Sequence, residues 1–111
     1  MELKRVVVTG LGALTPVGNT VAEAWENLVN GVSGAGPITR FDASKFKTQF
    51  ACEVKNFNVA DFIDRKEARK MDLYAQYAIV AAKEAIEDSA MDLESVDKNK
   101  IGVIFGVGIG G

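Results

Sequence analysis

The sequence predicts an α/β fold whose sheet is largely parallel. Two short runs rich in β-branched residues, at positions 4–9 and 101–105, have the composition of buried strands. The stretch between them contains segments in which apolar residues recur every three or four positions, which is the spacing of an amphipathic helix. Strands separated by helices along a chain are typical of parallel sheets covered by helices.

The first elements predicted are a strand, a turn and a helix. Residues 4–9 form the strand, and the glycines and proline within residues 10–19 predict that the chain turns there. Thr20 and Glu23 have the T-x-x-E spacing of a capping box, which begins a helix. One face of this helix is apolar, and we expect its tryptophan to anchor the core. The face consists of Val21, Ala24, Trp25, Leu28 and Val29.

The middle of the chain is predicted to contain a loop, a short strand and a helix. Gly31 stands where a left-handed C-terminal cap of the first helix is expected, and further glycines predict a loop over residues 31–48. Residues 50–54 form the short strand. Asp64, with Glu67 three positions later, then begins the helix.

The strongest helical pattern lies between Asp72 and Ala90. Mostly small apolar side chains line one face of this helix, so that face can approach a sheet closely. They are Ala75, Ala78, Ala82, Ala85 and Ile86. The second buried strand, residues 101–105, comes next. The glycine-rich run at 106–111 normally turns a chain into a further element, so we expect the sequence to be part of a longer chain.

Composition excludes several classes of function. The formal net charge of -2 does not suit a nucleic-acid-binding module, and no run approaches the roughly 18 apolar residues of a membrane span. The chain has no histidine, which excludes a histidine base, nucleophile pair or zinc ligand within it. Cys52 is the single cysteine, which indicates a reducing, cytoplasmic setting. We expect Cys52 to be a small buried thiol, not a nucleophile or metal ligand.

Two glycine patterns resemble nucleotide-binding motifs. Gly10 and Gly12 follow a strand, as in a dinucleotide-binding fingerprint. However, Thr15 replaces the third glycine and Pro16 interrupts the chain before any helix begins, so we do not predict NAD binding. The run Gly106-x-Gly108-x-x-Gly111 fits the motif literally, but we interpret these glycines as sites of tight turning and close packing.

A compact basic cluster lies at residues 65–70. If Asp64 caps a helix, Lys66, Arg69 and Lys70 share one face of it. Taken alone, the cluster is better explained as a solvated helix end with Glu67 as its local partner. The functional hypothesis is a docking surface for an acidic partner, steered by charge and weakened by salt.

Together these motifs resemble the opening of the β-ketoacyl-acyl carrier protein synthase II family. The matching motifs are R-V-V-V-T-G-L-G at 5–12, T-P-V-G-N-T at 15–20, F-D at 41–42, E-V-K at 53–55, R-K-E at 65–67, R-K-M-D at 69–72, I-G-V at 101–103, and the glycines at 106, 108, 110 and 111 with the isoleucine at 109. Each motif alone is weak, but their common order is specific. The resemblance covers the whole chain.

The resemblance implies the N-terminal part of a thiolase-like fold, layered α/β/α/β/α in the complete enzyme, which is a homodimer. Residues 1–111 would be an incomplete N-terminal ketoacyl synthase domain. Such acyltransferases elongate fatty acyl chains by decarboxylative Claisen condensation of an acyl thioester with malonyl-acyl carrier protein. We expect the acyl-accepting cysteine and two assisting histidines to lie beyond this sequence, so the chain alone is predicted to be inactive. No metal or cofactor is implied, because phosphopantetheine arrives on the acyl carrier protein.

The resemblance also implies roles for two sets of residues. Lys66, Arg69 and Lys70 match basic residues that dock the acidic carrier protein, which favours the docking hypothesis. Ile109, beside Gly108, matches an isoleucine of the acyl pocket whose bulk limits the length of the chain that fits. Cys52 is a departure, because relatives often have glycine at its position.

Two other functions are compatible with the same motifs. One is a polyketide-type ketosynthase or its chain-length partner subunit, which the residue at the downstream nucleophile position would distinguish. The other is a non-catalytic module that only binds carrier protein and would have to fold alone. We expect instead that exposed strand edges and apolar faces make the isolated chain associate.

Overall fold

The computed structural model of the protein describes residues 1–110. In this part of the chain, one small sheet lies in sequence between the first helix and the other two. The elements are helix α1 at Val21–Val29, strand β1 at Ala35–Pro37, strand β2 at Phe50–Cys52, helix α2 at Arg65–Ala68 and helix α3 at Leu73–Ser89, with short 3₁₀ turns at Val59–Asp61 and Lys98–Lys100. None of the helices within residues 1–110 has the length and apolar character needed to cross a membrane.

Helix α1 begins and ends as the sequence predicts. The Thr20 hydroxyl accepts a hydrogen bond from the Glu23 backbone N–H at 3.2 Å. The Glu23 carboxylate accepts one from the backbone N–H of Asn19 at 3.0 Å, one residue before the position that a capping box uses. At the other end Gly31 has φ +69°, the left-handed conformation expected of a C-terminal cap.

The apolar face of α1 is not the buried face that the sequence predicts. Ala24 is buried, but Trp25 is 67% exposed, and Leu28 and Val29 are exposed as well. The prediction that Trp25 anchors the core is therefore wrong for the described structure. The physical reason is that helical spacing gathers apolar side chains on one face, whereas burial needs a second element against that face.

The sheet is a two-stranded antiparallel ladder, which corrects the predicted parallel sheet. Ala35 pairs with Cys52, and Pro37 pairs with Phe50 at the other end of the ladder. The strand predicted at 50–54 is thus confirmed for Phe50–Cys52, while the predicted loop at 31–48 contains β1. Glycine and proline weaken a strand signal, which is why β1 was not predicted.

The two predicted buried strands, residues 4–9 and 101–105, are not strands in the structure. Both segments lack regular secondary structure. Their side chains lie open to solvent, with Val6 at 88%, Val8 at 79% and Ile104 at 95% exposure. A strand exists only where a neighbouring strand takes up its backbone N–H and C=O groups, and neither segment pairs with another within residues 1–110.

Helix α3 is the element on which the N-terminal segment rests. The Glu84 carboxylate accepts hydrogen bonds from the backbone N–H groups of Ala13, at 2.8 Å, and of Val21, at 2.9 Å. One turn further on, the Asp88 carboxylate accepts the Leu11 N–H at 2.9 Å. A side chain at Gly12 would overlap the carbonyl oxygen of Ala81 in α3, so only glycine allows this approach. At Ala81 and Ala85, helix α3 thus approaches the N-terminal segment and not the sheet that the sequence predicts for its small-residue face.

Candidate functional site

The basic cluster predicted from the sequence lies on and just after α2. Asp64 caps this helix by accepting a hydrogen bond from the Lys66 N–H at 2.9 Å, as predicted. Arg65, Lys66, Arg69 and Lys70 are all exposed. A short, side-chain-capped helix therefore presents four cations to solvent within six residues.

The four cations differ in their electrostatic surroundings. Lys70 forms an ion pair with Glu67 at 2.8 Å. Glu67 is the local partner expected if the cluster is only a solvated helix end. Among residues 1–110, Lys66 and Arg69 have no carboxylate within 4.0 Å. An exposed pair such as Glu67–Lys70 contributes about 0–1 kcal/mol. The positive charge available to a partner is therefore concentrated on Lys66 and Arg69, together with Arg65.

An open, mostly apolar hollow adjoins the basic cluster. It is lined by Val59, Arg65, Ala68, Arg69, Met71 and Gln76. Ala68 and Gln76 form its buried floor, at 5% and 8% exposure. Two arginines on the lining of an apolar hollow suit a partner that is acidic and carries an apolar side chain.

The floor of the hollow contains a side chain that the sequence did not point out. The Gln76 amide Nε2 donates to the carbonyl oxygens of Ala68, at 3.0 Å, and of Met71, at 3.2 Å. Ala68 is the last residue of α2, and Met71 lies in the turn that joins α2 to α3. A glutamine in the first turn of an amphipathic helix has no sequence signal that distinguishes this role from solvent exposure.

The predicted acyl-pocket residues lie in the exposed segment after the last 3₁₀ turn. Ile109 is 95% exposed, and Gly108 is exposed too. Gly110 approaches the ring of Tyr74, where an added Cβ would lie 3.3 Å from Cε1. The role of Ile109 and Gly108 in an acyl pocket stays a prediction. Gly111, the last glycine of the G-x-G-x-x-G pattern, lies outside the described residues.

Cys52 is an exposed free thiol, not the small buried thiol that the sequence predicts. It occupies the end of β2, where Phe50 and Cys52 are exposed and the residue between them is half-buried. Alternation along a strand places both on one face, and in a two-stranded sheet nothing covers that face. Within residues 1–110, no three potential metal ligands come together.

A second polar cluster, also not predicted, fixes the turn between the N-terminal segment and α1. Lys55 Nζ donates to the carbonyl oxygens of Pro16 at 3.1 Å, Gly34 at 2.8 Å and Glu53 at 3.1 Å. The Asn19 side chain donates to the Lys55 carbonyl oxygen at 2.8 Å. One lysine thus joins three segments that are distant in the sequence.

The hairpin is joined to α3 through Glu53 and Arg40. Thr39 donates to the Glu53 carboxylate with its hydroxyl at 2.8 Å and with its backbone N–H at 3.2 Å. These hydrogen bonds, the hydroxyl contributing most, hold the pKa of Glu53 below its usual value, and Arg40 adds a smaller lowering. Arg40 also donates to the Tyr77 hydroxyl of α3 at 2.9 Å.

Comparison with curated proteins gives relatives that match almost the whole chain. A 3-oxoacyl-[acyl-carrier-protein] synthase 2 of Staphylococcus aureus (strain COL) is 53% identical over 108 residues, which cover 97% of this chain and 26% of that protein. The protein of the same name from Synechocystis sp. is 50% identical over 111 residues, which are 100% of this chain and 27% of the relative. The chain thus spans about a quarter of the length of these curated relatives.

Two solved structures share the fold. The ishigamide ketosynthase/chain length factor superposes with a TM-score of 0.74 at 37% identity. The superposed part is 81% of this chain and 22% of the ishigamide protein chain. A type II PKS acyl-carrier protein in complex with its ketosynthase (AntDE:AntF), bound to the hexaketide, gives a TM-score of 0.68 at 28% identity, with 88% of this chain and 24% of that one covered. The predicted fold class, the N-terminal part of a thiolase-like α/β fold, is confirmed.

The sequence profile described as Beta-ketoacyl synthase, N-terminal domain, matches residues 3–111. The match includes the first motif, the basic cluster around α2 and the glycine-rich run that contains Ile109. These are the segments on which the resemblance was based. The chain therefore belongs to the β-ketoacyl synthase family, and its residues are those of the N-terminal domain of that family.

Proposed function

We propose that the chain is the N-terminal part of a 3-oxoacyl-[acyl-carrier-protein] synthase that elongates fatty acyl chains. The supporting observation is 50–53% identity, over 97–100% of the chain, to proteins named 3-oxoacyl-[acyl-carrier-protein] synthase 2. In the proposed reaction the α-carbon of a malonyl thioester forms a bond to the carbonyl carbon of the acyl thioester. Carbon dioxide leaves the malonyl group, and the thiolate leaves the acyl group.

The chain contributes to binding, not to the chemical step. It has no histidine, and its single cysteine lies at the exposed end of β2. We therefore assign the acyl-accepting cysteine and the assisting histidines to the other three quarters of the full-length enzyme. Phosphopantetheine comes with the carrier protein, and we expect a cytoplasmic homodimer. Residues 108 and 109 are proposed to line the acyl pocket once the rest of the enzyme encloses them.

The second part of the proposal is that Lys66, Arg69 and Lys70 dock the acyl carrier protein. Lys66 and Arg69 are exposed and have no carboxylate partner within residues 1–110, so their charge is available. The similar AntDE:AntF structure contains an acyl-carrier protein in complex with its ketosynthase. We rank Lys70 below the other two because Glu67 competes for its ammonium group.

The experiment is charge reversal in the full-length enzyme, Lys66→Glu together with Arg69→Glu. We expect the Michaelis constant for carrier-borne substrates to rise about tenfold or more, because two attractive contacts become repulsive. The constant for carrier-free thioesters should change far less. The matched control is Lys45→Glu with Lys47→Glu, two exposed lysines of the loop before β2. Equal losses on both kinds of substrate would refute the docking role.

Two alternatives are tested separately, and the first has specific support from the solved structures. The polyketide-type ketosynthase or chain-length partner is favoured by the two solved structures, although their identities of 37% and 28% are below those of the fatty-acid relatives. Sequencing the nucleophile position of the full-length protein separates a ketosynthase from a partner subunit, which lacks the cysteine. The non-catalytic module would require residues 1–111 alone to bind carrier protein as a monomer, which chromatography of the mixture tests.

A further inference from the structure

Among residues 1–110, Gln76 is the one buried polar residue, with 8% of its surface exposed. It lies in the first turn of α3, below the hollow beside α2. Both hydrogen-bond donations of its amide nitrogen go to the backbone, to Ala68 and Met71. Burying an amide is unfavourable unless such bonds are made, so the two contacts define where this side chain can lie.

The two carbonyl groups that Gln76 binds lie at the C-terminal end of α2 and in the turn that follows it. Helix α2 has four residues, Arg65–Ala68, so its own hydrogen bonds cannot satisfy the carbonyl groups at its C-terminal end. The Ala68 carbonyl also accepts the Met71 N–H at 3.1 Å, and the amide of Gln76 supplies the second donor. The end of α2 is thus attached to the first turn of α3 by a side chain of α3.

This attachment has a consequence for the cations. Basic side chains near a helix C-terminus can donate hydrogen bonds to its last carbonyl groups. Within residues 1–110, no side-chain hydrogen bond of Arg65, Lys66 or Arg69 to a backbone carbonyl is formed, whereas Gln76 makes two. The amide therefore closes the helix end and leaves the cations free.

We propose that Gln76 is a positioning residue for carrier-protein docking: its amide fixes α2 against α3 and so sets where Lys66 and Arg69 meet an acidic partner. This inference rests on the proposed docking function and adds to it a residue that the partner need not touch. A loosely held α2 would have to be ordered when the partner binds, and that entropy cost weakens binding. Preorganisation by Gln76 removes the cost.

The test replaces Gln76 with methionine in the full-length enzyme, a substitution of similar size that removes both donors. The Michaelis constant for carrier-borne substrate is expected to rise about five- to tenfold, the effect of one or two net hydrogen bonds. The carrier-free thioester should show less than a twofold change in either kinetic constant. Hydrogen exchange at the amides of residues 65–71 should become faster in the same variant.

The matched control is Gln49→Met. Gln49 is the only other glutamine, and its Nε2 likewise donates to two carbonyl groups, those of Ser44 at 3.3 Å and Phe46 at 3.2 Å, in a loop away from the basic cluster. We expect no carrier-specific change in this control. If Gln76→Met does not fold, Gln76→Asn tests the proposal in its place. This variant keeps the amide but shortens its reach, so the carrier-specific rise in the Michaelis constant should be smaller.

The outcomes separate this inference from the function on which it rests. Suppose that charge reversal at Lys66 and Arg69 has a carrier-specific effect and that neither Gln76 variant has one. That result overturns only the positioning role. Equal changes with carrier-borne and carrier-free substrates, or the same carrier-specific effect in Gln49→Met, also overturn it. If charge reversal itself has no carrier-specific effect, the docking function fails first.

Discussion

Residues 15–90 differ sharply from two segments nearer the ends of the chain, 1–14 and 101–110, which we call the flanking segments. In the central region, helices, the hairpin and side-chain caps pair many backbone groups, and the polar side chains of Glu53, Lys55 and Gln76 join separate segments. The flanking segments are richer in β-branched residues, yet Val6 and Ile104 are 88% and 95% exposed.

The difference shows which kinds of secondary structure form between residues that are close together in the sequence. A helix pairs its backbone within one segment, and a hairpin pairs two segments that are neighbours along the chain. A strand of a parallel sheet needs partners from far along the chain. The chain spans about a quarter of the length of its curated relatives, so we propose that residues 4–9 and 101–105 find their strand partners in the full-length enzyme.

The largest effect we predict is association of the isolated chain through these two segments. Unpaired backbone groups and contiguous apolar side chains favour pairing with other copies. In size-exclusion chromatography the chain should elute at a multiple of its 11.9 kDa mass. Val7→Lys combined with Ile104→Lys should shift it towards the monomer, because a charge in each segment opposes stacking of copies.

The matched control places two lysines on the exposed face of α1, Leu28→Lys with Val29→Lys. That face is apolar, at 59% and 67% exposure, but its backbone is already paired within the helix. We expect this pair to reduce association less than the pair in the flanking segments. A monomeric wild-type chain with a cooperative thermal transition would contradict the comparison, as would equal effects of the two lysine pairs.

The same distinction explains which parts of the fold the sequence could predict. The caps at Thr20, Asp64 and Gly31 are local devices, and all three were predicted correctly. Composition at 4–9 indicated strands because β-branched residues fit a pleated surface, but it carries no information on whether a partner strand is present. Strand β1 was missed because Gly36 and Pro37 are poor strand formers, and pairing with β2 overrides that preference.

A smaller effect is expected from breaking the attachment of the N-terminal segment to α3. Glu84→Ala removes the acceptor of the Ala13 and Val21 N–H groups. A hydrogen bond to a charged group contributes about 1.5–3 kcal/mol, so exchange of these two amides should become about ten- to a hundredfold faster. The measurement is hydrogen exchange in the Val7→Lys, Ile104→Lys background, at a concentration where that variant elutes as a monomer.

Two positions on α3 provide the controls for Glu84. Glu87→Ala removes a carboxylate that is exposed and makes no side-chain hydrogen bond within residues 1–110, so exchange at Ala13 should not change. Asp88→Ala removes a single, exposed bond to Leu11 and should have a smaller, local effect. Equal acceleration by Glu84→Ala and Glu87→Ala would show that general charge on α3, and not the hydrogen bonds, holds the segment.

Of the candidate site, only the positions of the charged residues could be predicted from the sequence. Four basic residues in six positions are visible in the sequence, and the resemblance gave Lys66, Arg69 and Lys70 their proposed role. The pairing of Lys70 with Glu67 was visible as a spacing of three, and the structure confirms it at 2.8 Å. Gln76 and Lys55 were not predictable, because their partners are backbone carbonyl groups, and the fold brings these close without any residue-type signal.

The smallest predicted effect lies inside the central region and depends on pH. Hydrogen bonds from Thr39 lower the pKa of Glu53 in the folded state from its usual value of 4.5. The folded form then binds fewer protons than the unfolded form in the window just below that value, so stability rises with pH there. The contribution is complete above pH 4.5 and is lost as pH falls through the lower folded-state pKa.

Glu53→Gln should remove this part of the acid sensitivity, which thermal melting from about pH 3 to about pH 6 in the monomeric background measures. Asp42→Asn is the comparison, because hydrogen bonds from Ser44 also lower the pKa of Asp42, but within one loop. Glu53 joins the hairpin to Arg40 and through it to α3, so its neutralisation should also speed hydrogen exchange at Thr39, whereas Asp42→Asn should not. An unchanged pH dependence in Glu53→Gln would mean that the Glu53 carboxylate does not hold the hairpin, which leaves its backbone ladder and Lys55. The joining of elements in the central region would then depend on Lys55 and Gln76, and not on the Glu53 carboxylate.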